Sequence, residues 1–158
     1  KTSNETTSYD INGDGKQETV NDANDGVLCI NGGKSGKDLF GDNTDLGDGK
    51  TYSNGFEALK ALASKESLIN GTDDMKLDEK DIKTLEDKYG FGMKTGGYNS
   101  EAQSLSKLGI SEINLGNGKL ETVDNFDSKG NKLMKESGAT FKVNGEEKEY
   151  ADVWNLIK

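Results

Sequence analysis

The stretch Asp10-Ile11-Asn12-Gly13-Asp14-Gly15-Lys16-Gln17-Glu18 decides how this chain is read. Oxygen-bearing side chains alternate there with glycine and flexible residues, which lets a backbone curl around a hard cation. Calcium takes about six to eight oxygens at roughly 2.3–2.6 Å, supplied from alternate positions of a tight loop. Asp10, Asn12 and Asp14 stand at positions 1, 3 and 5 of such a loop, and Gly15 at the sharp turn in position 6. Lys16 offers its backbone carbonyl at position 7 and Glu18 its carboxylate at position 9. Position 12, where a bidentate Glu is expected, holds Asn21, so further oxygens are sought nearby, with Asp22 and Asp25 the closest candidates. Gln17 replaces the apolar residue of position 8, and no strong helix precedes Asp10. The plainer alternative is an Asx-rich turn that binds nothing.

The spacing is that of an EF-hand loop, and a second one follows with weaker letters and a better frame. Asn70, Thr72, Asp74, Lys76, Asp78 and Asp81 take positions 1, 3, 5, 7, 9 and 12, with Leu77 at the apolar position 8. Met75 stands in place of the turn glycine, and Asp73 is a substitute ligand if the register slips. A helix is predicted on each side. Asn54 to Lys65 is capped by Asn54 and places Phe56, Leu59, Leu62 and Ala63 on one face. Asp78 to Tyr89 has acids in its first turn, Ile82, Leu85 and Tyr89 on one face, and Gly90 as its C-cap.

Strands are expected at Val27 to Ile30, Ser111 to Leu115, Glu121 to Phe126, Lys132 to Lys135 and Ala139 to Val143, with turns at Asp127 to Gly130 and at Asn144-Gly145. Ser104 to Leu108 is expected as one helical turn, Gly90 to Gly97 as a loop, and Tyr150 to Ile157 as a closing helix. The expected fold class is α+β: an EF-hand-like helix-loop-helix and calcium loops packed with a small antiparallel β-rich C-terminal part. Residues 1–9 are expected to form a flexible leader or edge segment, and residues 10–158 a single domain. Its EF-hand-like part covers about 10–90 and its β-rich part about 91–158.

Composition narrows the chemistry. Among 158 residues, 29 acidic against 20 basic side chains leave a formal charge of −9, which disfavours nucleic acid and anionic membrane surfaces and favours bound cations. The chain has no histidine, which removes Ser/His/Asp triads, Cys/His pairs and most zinc or iron sites. Its single cysteine, Cys29 in Val-Leu-Cys-Ile, reads as a buried thiol without redox work. No apolar run approaches a membrane span, and Lys1 to Tyr9 is polar without an apolar core. Hydrophobic residues make up 30% of the chain and glycine numbers 21, so the core is small and loops abundant.

Other acids form a third cluster at Asp38, Asp42, Asn43, Asp45 and Asp48, which lacks clean alternation and reads as solvated loop charge; Asp124 and Asp127 read as hairpin residues. Asn31 to Lys37 is faintly like a phosphate loop, but Leu28 stands where its first glycine belongs and no Ser or Thr follows Lys37. No carboxylate pair stands out in the apolar setting that glycosidase chemistry needs.

Several blocks in fixed order carry a resemblance: Asp10 to Gly15 with Glu18-Thr19-Val20, then Asn24 to Leu28, Asp38 to Thr44, Asn54 to Leu59 and Leu108 to Leu115. From about Tyr9 onward this order resembles a calcium-binding EF-hand-like domain of RTX-type (hemolysin-type) secreted bacterial proteins. In one branch the resemblance implies a self-processing module, which on binding calcium cleaves an Asp-Pro bond before the first loop and joins the new Asp to a lysine. Glu5 and Thr6 stand at that place here, so the scissile bond is missing. The acidic loop expected before Leu39-Phe40 is short and poor in acids, and the one expected after the second helix is replaced by the acid-free Gly90 to Asn99.

The functional expectation is a calcium-stabilised structural or binding module of a secreted or cell-surface protein, not an enzyme acting on an external substrate. Its partners are calcium ions, other domains of a larger secreted protein or a surface ligand, with no nucleic acid and no membrane insertion. The alternatives are a calcium-triggered self-processing module that lacks its Asp-Pro bond, and an adhesin module binding a glycan or protein.

Overall fold

In the computed structural model the backbone is described for residues 2–23, 26–69, 75–124, 131–150 and 152–154. The chain opens with a ribbon, β1 (Thr2–Tyr9) against β2 (Glu18–Ala23), then β3 (Val27–Cys29) and a 3₁₀ turn at Gly36–Asp38. Helix α1 (Gly55–Lys65), β4 (Lys76–Leu77) and helix α2 (Glu79–Tyr89) follow, and after them β5 (Gly92–Lys94), β6 (Ala102–Gln103) and β7 (Ile110–Leu115). The remainder is β8 (Leu120–Asp124), β9 (Lys132–Glu136), β10 (Ala139–Val143), β11 (Glu146–Glu149) and β12 (Asp152–Trp154). These strands make four antiparallel sheets, ordered β1-β2, β11-β10-β7-β4, β12-β9-β8 and β3-β5-β6.

The α+β expectation built on an EF-hand helix-loop-helix is overturned. Twelve strands against two helices among the described residues make a mostly β domain, of which only the β-rich C-terminal part fits the expectation. Both helices lie where their caps predict. Asn54 Oδ1 accepts the Glu57 N–H at 2.9 Å, and Gly90 closes α2 with a left-handed φ of 63°. Between them, Lys76 and Leu77 pair with Asn114 and Ile113 of β7. The first loop has no flanking helix, since it bends a β-ribbon.

Three further stretches carry more strand than the sequence predicts. The residues expected as a flexible leader or an edge segment form β1, where Thr2, Thr6 and Thr7 suit a strand and Tyr9 is buried at its end. The stretch read as a loop after α2 contains β5, which takes Leu28 opposite Met93. Where a closing helix is expected, the described residues Asp152 to Trp154 pair antiparallel with Met134 to Lys132. Asn144 and Gly145, with φ of 50° and 82°, make the tight turn between β10 and β11 that their letters predict.

Two clusters form the core. Leu59 and Leu62 of α1, Ile82 and Leu85 of α2, Leu77, Phe91, Leu105 and the inward face of β7 at Ile113 and Leu115 make the larger. Tyr9, Val20, Cys29, Leu39 and Tyr98 make the smaller, which lies under the ribbon. Burial, partly offset by the Lys94 ammonium, pushes the Cys29 thiol up to about 11, in keeping with a structural thiol. Ile113, 2% exposed, joins the two helices to β7. Ile113→Ala is expected to cost about 2–5 kcal/mol through lost burial and the cavity left behind, measured by urea unfolding.

Candidate metal centre

The loop 10–17 hangs from the last rung of the ribbon, where Tyr9 faces Glu18. One carboxylate oxygen from each of Asp10, Asp14 and Glu18 lies within 4.8 Å of the others. Two oxygens bound to one calcium are separated by at most twice the ion–oxygen distance, about 4.6–5.2 Å. The three carboxylates therefore stand within the spacing that one ion permits. Asp10 is buried, Glu18 half-buried and Asp14 exposed.

The local backbone shapes this cluster. Asp10 Oδ1 accepts the Asp14 N–H at 3.1 Å and Oδ2 accepts the Gly15 N–H at 2.9 Å, so the loop curls over its own first residue. Gly13 and Gly15 supply left-handed φ values of 70° and 88°. Burial tends to raise the Asp10 carboxyl, but the N–H donors of Gly15, Asp14 and Gly13 outweigh it and hold the pKa below the ordinary 3.8. Each Asp10 oxygen retains a lone pair beyond the N–H it accepts. Glu18 Oε1 is buried and has no hydrogen-bond partner. A buried acceptor without a donor beside two further carboxylates is costly unless a cation completes it. The donor set is entirely hard oxygen, which suits calcium and not zinc or copper.

A second segment fixes the loop from outside. The Gly36 N–H donates to the Asp10 carbonyl at 2.7 Å, and a Cβ at Gly36 would fall 1.7 Å from the Ile11 carbonyl oxygen. Beneath, Tyr9 stacks on Tyr98 with centroids 5.1 Å apart and donates its hydroxyl to the Gly33 carbonyl at 2.8 Å. The buried Lys94 ammonium sits 5.2 Å over the Tyr9 ring and donates to the Gly33 and Tyr98 carbonyls. Burial lowers the Lys94 pKa, against the opposing pull of Cys29 and Asp38. Sequence reasoning missed Gly36, which lies in the phosphate-like stretch that was set aside, and Lys94, which lies in no motif; an aromatic directly ahead of Asp10 was the local hint.

The remaining expected ligands divide clearly. Asn12 and Lys16 are exposed, and the Lys16 N–H donates to Asp14 Oδ1 at 2.9 Å. Asn21 turns away: it stands three positions after Glu18, which on a helix is one face and on a strand is the opposite face. Its Oδ1 accepts instead from Asn131 Nδ2 at 3.2 Å. Asp22 shares the Glu18 face, but its Oδ1 accepts the Tyr98 and Ala23 N–H groups, both at 2.8 Å.

In the second loop, Asn70, Thr72, Asp73 and Asp74 lie outside the described residues, as does Asp25. Asp78 and Asp81 form a capping box on α2, with Asp78 Oδ1 accepting the Asp81 N–H at 2.9 Å and Asp81 Oδ2 accepting the Asp78 N–H at 3.1 Å. Lys76 lies in β4 and its ammonium meets Glu112 at 3.4 Å. In the third cluster, Asp38 caps the Lys34 N–H, Asp45 caps Gly47 and Asp48 caps Lys50, which is loop-shaping work. The phosphate-like stretch spends its N–H groups internally, on Asp10, Asp38, Ser35 and Ile30. Glu5 and Thr6 lie within β1, with Thr6 opposite Asn21.

The described residues define a small, mostly β domain with a cluster of three carboxylates at the tip of a ribbon. The chain belongs to the SPM domain family, whose model matches residues 1–155. No curated protein and no solved structure matches it significantly. No helix among the described residues is long and apolar enough to cross a membrane.

Because the Asp10 carboxyl is held below its unfolded value, its contribution to stability is present above the ordinary carboxylate pKa and is lost as pH falls through the lowered one. Thermal melts recorded from about pH 6 down to about pH 2 are expected to show this loss, and Asp10→Asn, which cannot accept both N–H groups, is expected to be less stable at neutral pH with a flatter acid limb.

Proposed function

We propose that this domain is a calcium-binding module in which Asp10, Asp14 and Glu18 are the carboxylate ligands, with Asn12 and the Lys16 carbonyl as further oxygen donors. The observation that carries the reading is the oxygen cluster within 4.8 Å, one of whose members, Glu18, keeps a buried oxygen without a donor. A divalent ion there offsets two of the three like charges and joins the start of the loop to the first residue of β2. Its binding free energy then adds to folding, by about 2.7 kcal/mol when calcium stands at 100 times its Kd.

With position 12 directed elsewhere, the site holds fewer charged ligands than a high-affinity loop, which points to a Kd of about 10⁻⁴–10⁻³ M, the range of extracellular modules. Such a site fills in calcium-rich surroundings and stays empty at cytosolic levels. The reading therefore includes a secreted or cell-surface setting, in which the domain tightens on export and serves as a structural or binding unit beside other domains.

Calorimetric titration of chelator-stripped protein, with circular dichroism in parallel, is expected to show one ion bound at the ribbon loop with a gain of ordered structure. Glu18→Gln and Asp14→Asn are each expected to weaken binding roughly tenfold or more. Absence of heat at about millimolar calcium, or binding unaffected by both substitutions, overturns the assignment.

A further inference from the structure

Resting on the calcium reading above, we infer that Asn131 is a positioning residue for the carboxylate loop, acting through Asn21, so that loop occupancy and docking of the β8-β9-β12 sheet reinforce each other. Asn21 occupies the place where a twelfth-position ligand is expected, and the strand geometry gives it a different task. Glu18, on one face of β2, belongs to the carboxylate cluster; Asn21, on the other face, accepts the Asn131 amide at 3.2 Å. Both asparagines are out of water, at 3% and 0% exposure. Buried amides are costly when their partners are withdrawn, so this contact reports whether the ribbon is in place.

Asn131 immediately precedes β9, and the far end of that strand is fixed elsewhere. Glu136 Oε1 meets the Lys60 ammonium of α1 at 2.5 Å, and Asp152 of β12 accepts the Gly55 N–H at the head of α1 at 3.0 Å. The C-terminal sheet is therefore anchored on α1 at one end and on the ribbon at the other. The ribbon end depends on register. Asn21 reaches Asn131 only while Tyr9 faces Glu18 and Thr6 faces Asn21, because a slip of one residue moves every β2 side chain to the opposite face. An ion held by both Asp10 and Glu18 spans the loop and locks that register. By linkage, whatever the ion adds to the ribbon and sheet, the sheet returns to ion affinity in equal measure.

The test combines calcium calorimetry with hydrogen exchange on the whole domain. In the unsubstituted protein, calcium is expected to slow exchange in β9 as well as in β2. Asn21→Ala and Asn131→Ala are each expected to weaken calcium affinity about tenfold at unchanged stoichiometry, with the double variant no weaker than either single one. Calcium binding without any response in β9, or losses that add in the double variant, overturns the positioning role while leaving the calcium site standing. Failure of the unsubstituted protein to bind calcium overturns the site itself and the coupling with it. Should the alanine variants not fold, Asn131→Asp keeps the shape while replacing the donor nitrogen with an acceptor oxygen, and the same loss of affinity is expected; exchange in the unsubstituted protein decides the matter without any variant.

Discussion

Tyr9 facing Glu18 is the rung about which the molecule is arranged. The aromatic ring drives one strand end into the smaller core cluster, where Tyr98, Lys94 and the Gly33 carbonyl surround it. The carboxylate opposite belongs to an acidic trio that repels itself in isolation. Burial of the tyrosine and gathering of the acids are thus consequences of one pairing. Hydrophobic burial, which is non-directional, supplies the attraction, and the loop that closes the ribbon supplies the place where the three carboxylates gather. The 3₁₀ turn at Gly36–Asp38 adds a second wall, seated so tightly on Ile11 that only glycine fits.

The larger cluster is tied to this region by sheet β3-β5-β6, which follows directly from β2 and from α2. Asn31 N–H donates to the Tyr89 carbonyl at 2.8 Å, joining the turn after β3 to the last residue of α2. The C-terminal sheet depends on α1 in a more polar way, through the Lys60 and Glu136 ion pair and the Asp152 carboxylate at the head of the helix. The Glu136 side chain is fully buried, and the Lys60 ammonium is the cation that meets it there.

Both helices were legible because their signals are local: an Asx cap, apolar residues at 3.6 spacing, and a terminal glycine. Most C-terminal strands were legible because turn letters such as Asn144-Gly145 bound them. What escaped were features set by partners distant in sequence. Thr2 to Tyr9 looks like a leader until β2 gives it somewhere to pair, and Gly92 to Lys94 looks like a loop until β3 lies beside it. In the carboxylate loop, positions 10, 14 and 18 were readable from alternation, since a tight turn imposes it whatever flanks the turn. Positions 21 and 22 were not, because their roles depend on whether a helix or a strand follows. Spacing that places two side chains together on one periodicity places them apart on the other. Asp78 and Asp81 carry the same lesson: their spacing suits an ion ligand pair and a capping box equally, and the helix that follows uses them for itself.

Among the described residues, strand β11 is an edge of the four-stranded sheet, and all four of its residues, Glu146, Glu147, Lys148 and Glu149, are exposed. An open edge is a template for a neighbouring chain, and this one presents three acids in four residues. Two copies approaching in parallel register set glutamate against glutamate and lysine against lysine, which charge resists, whereas an antiparallel approach also sets Glu147 against Lys148. The order of four letters on this edge thus discriminates between the two directions in which a second strand of the same sequence can lie.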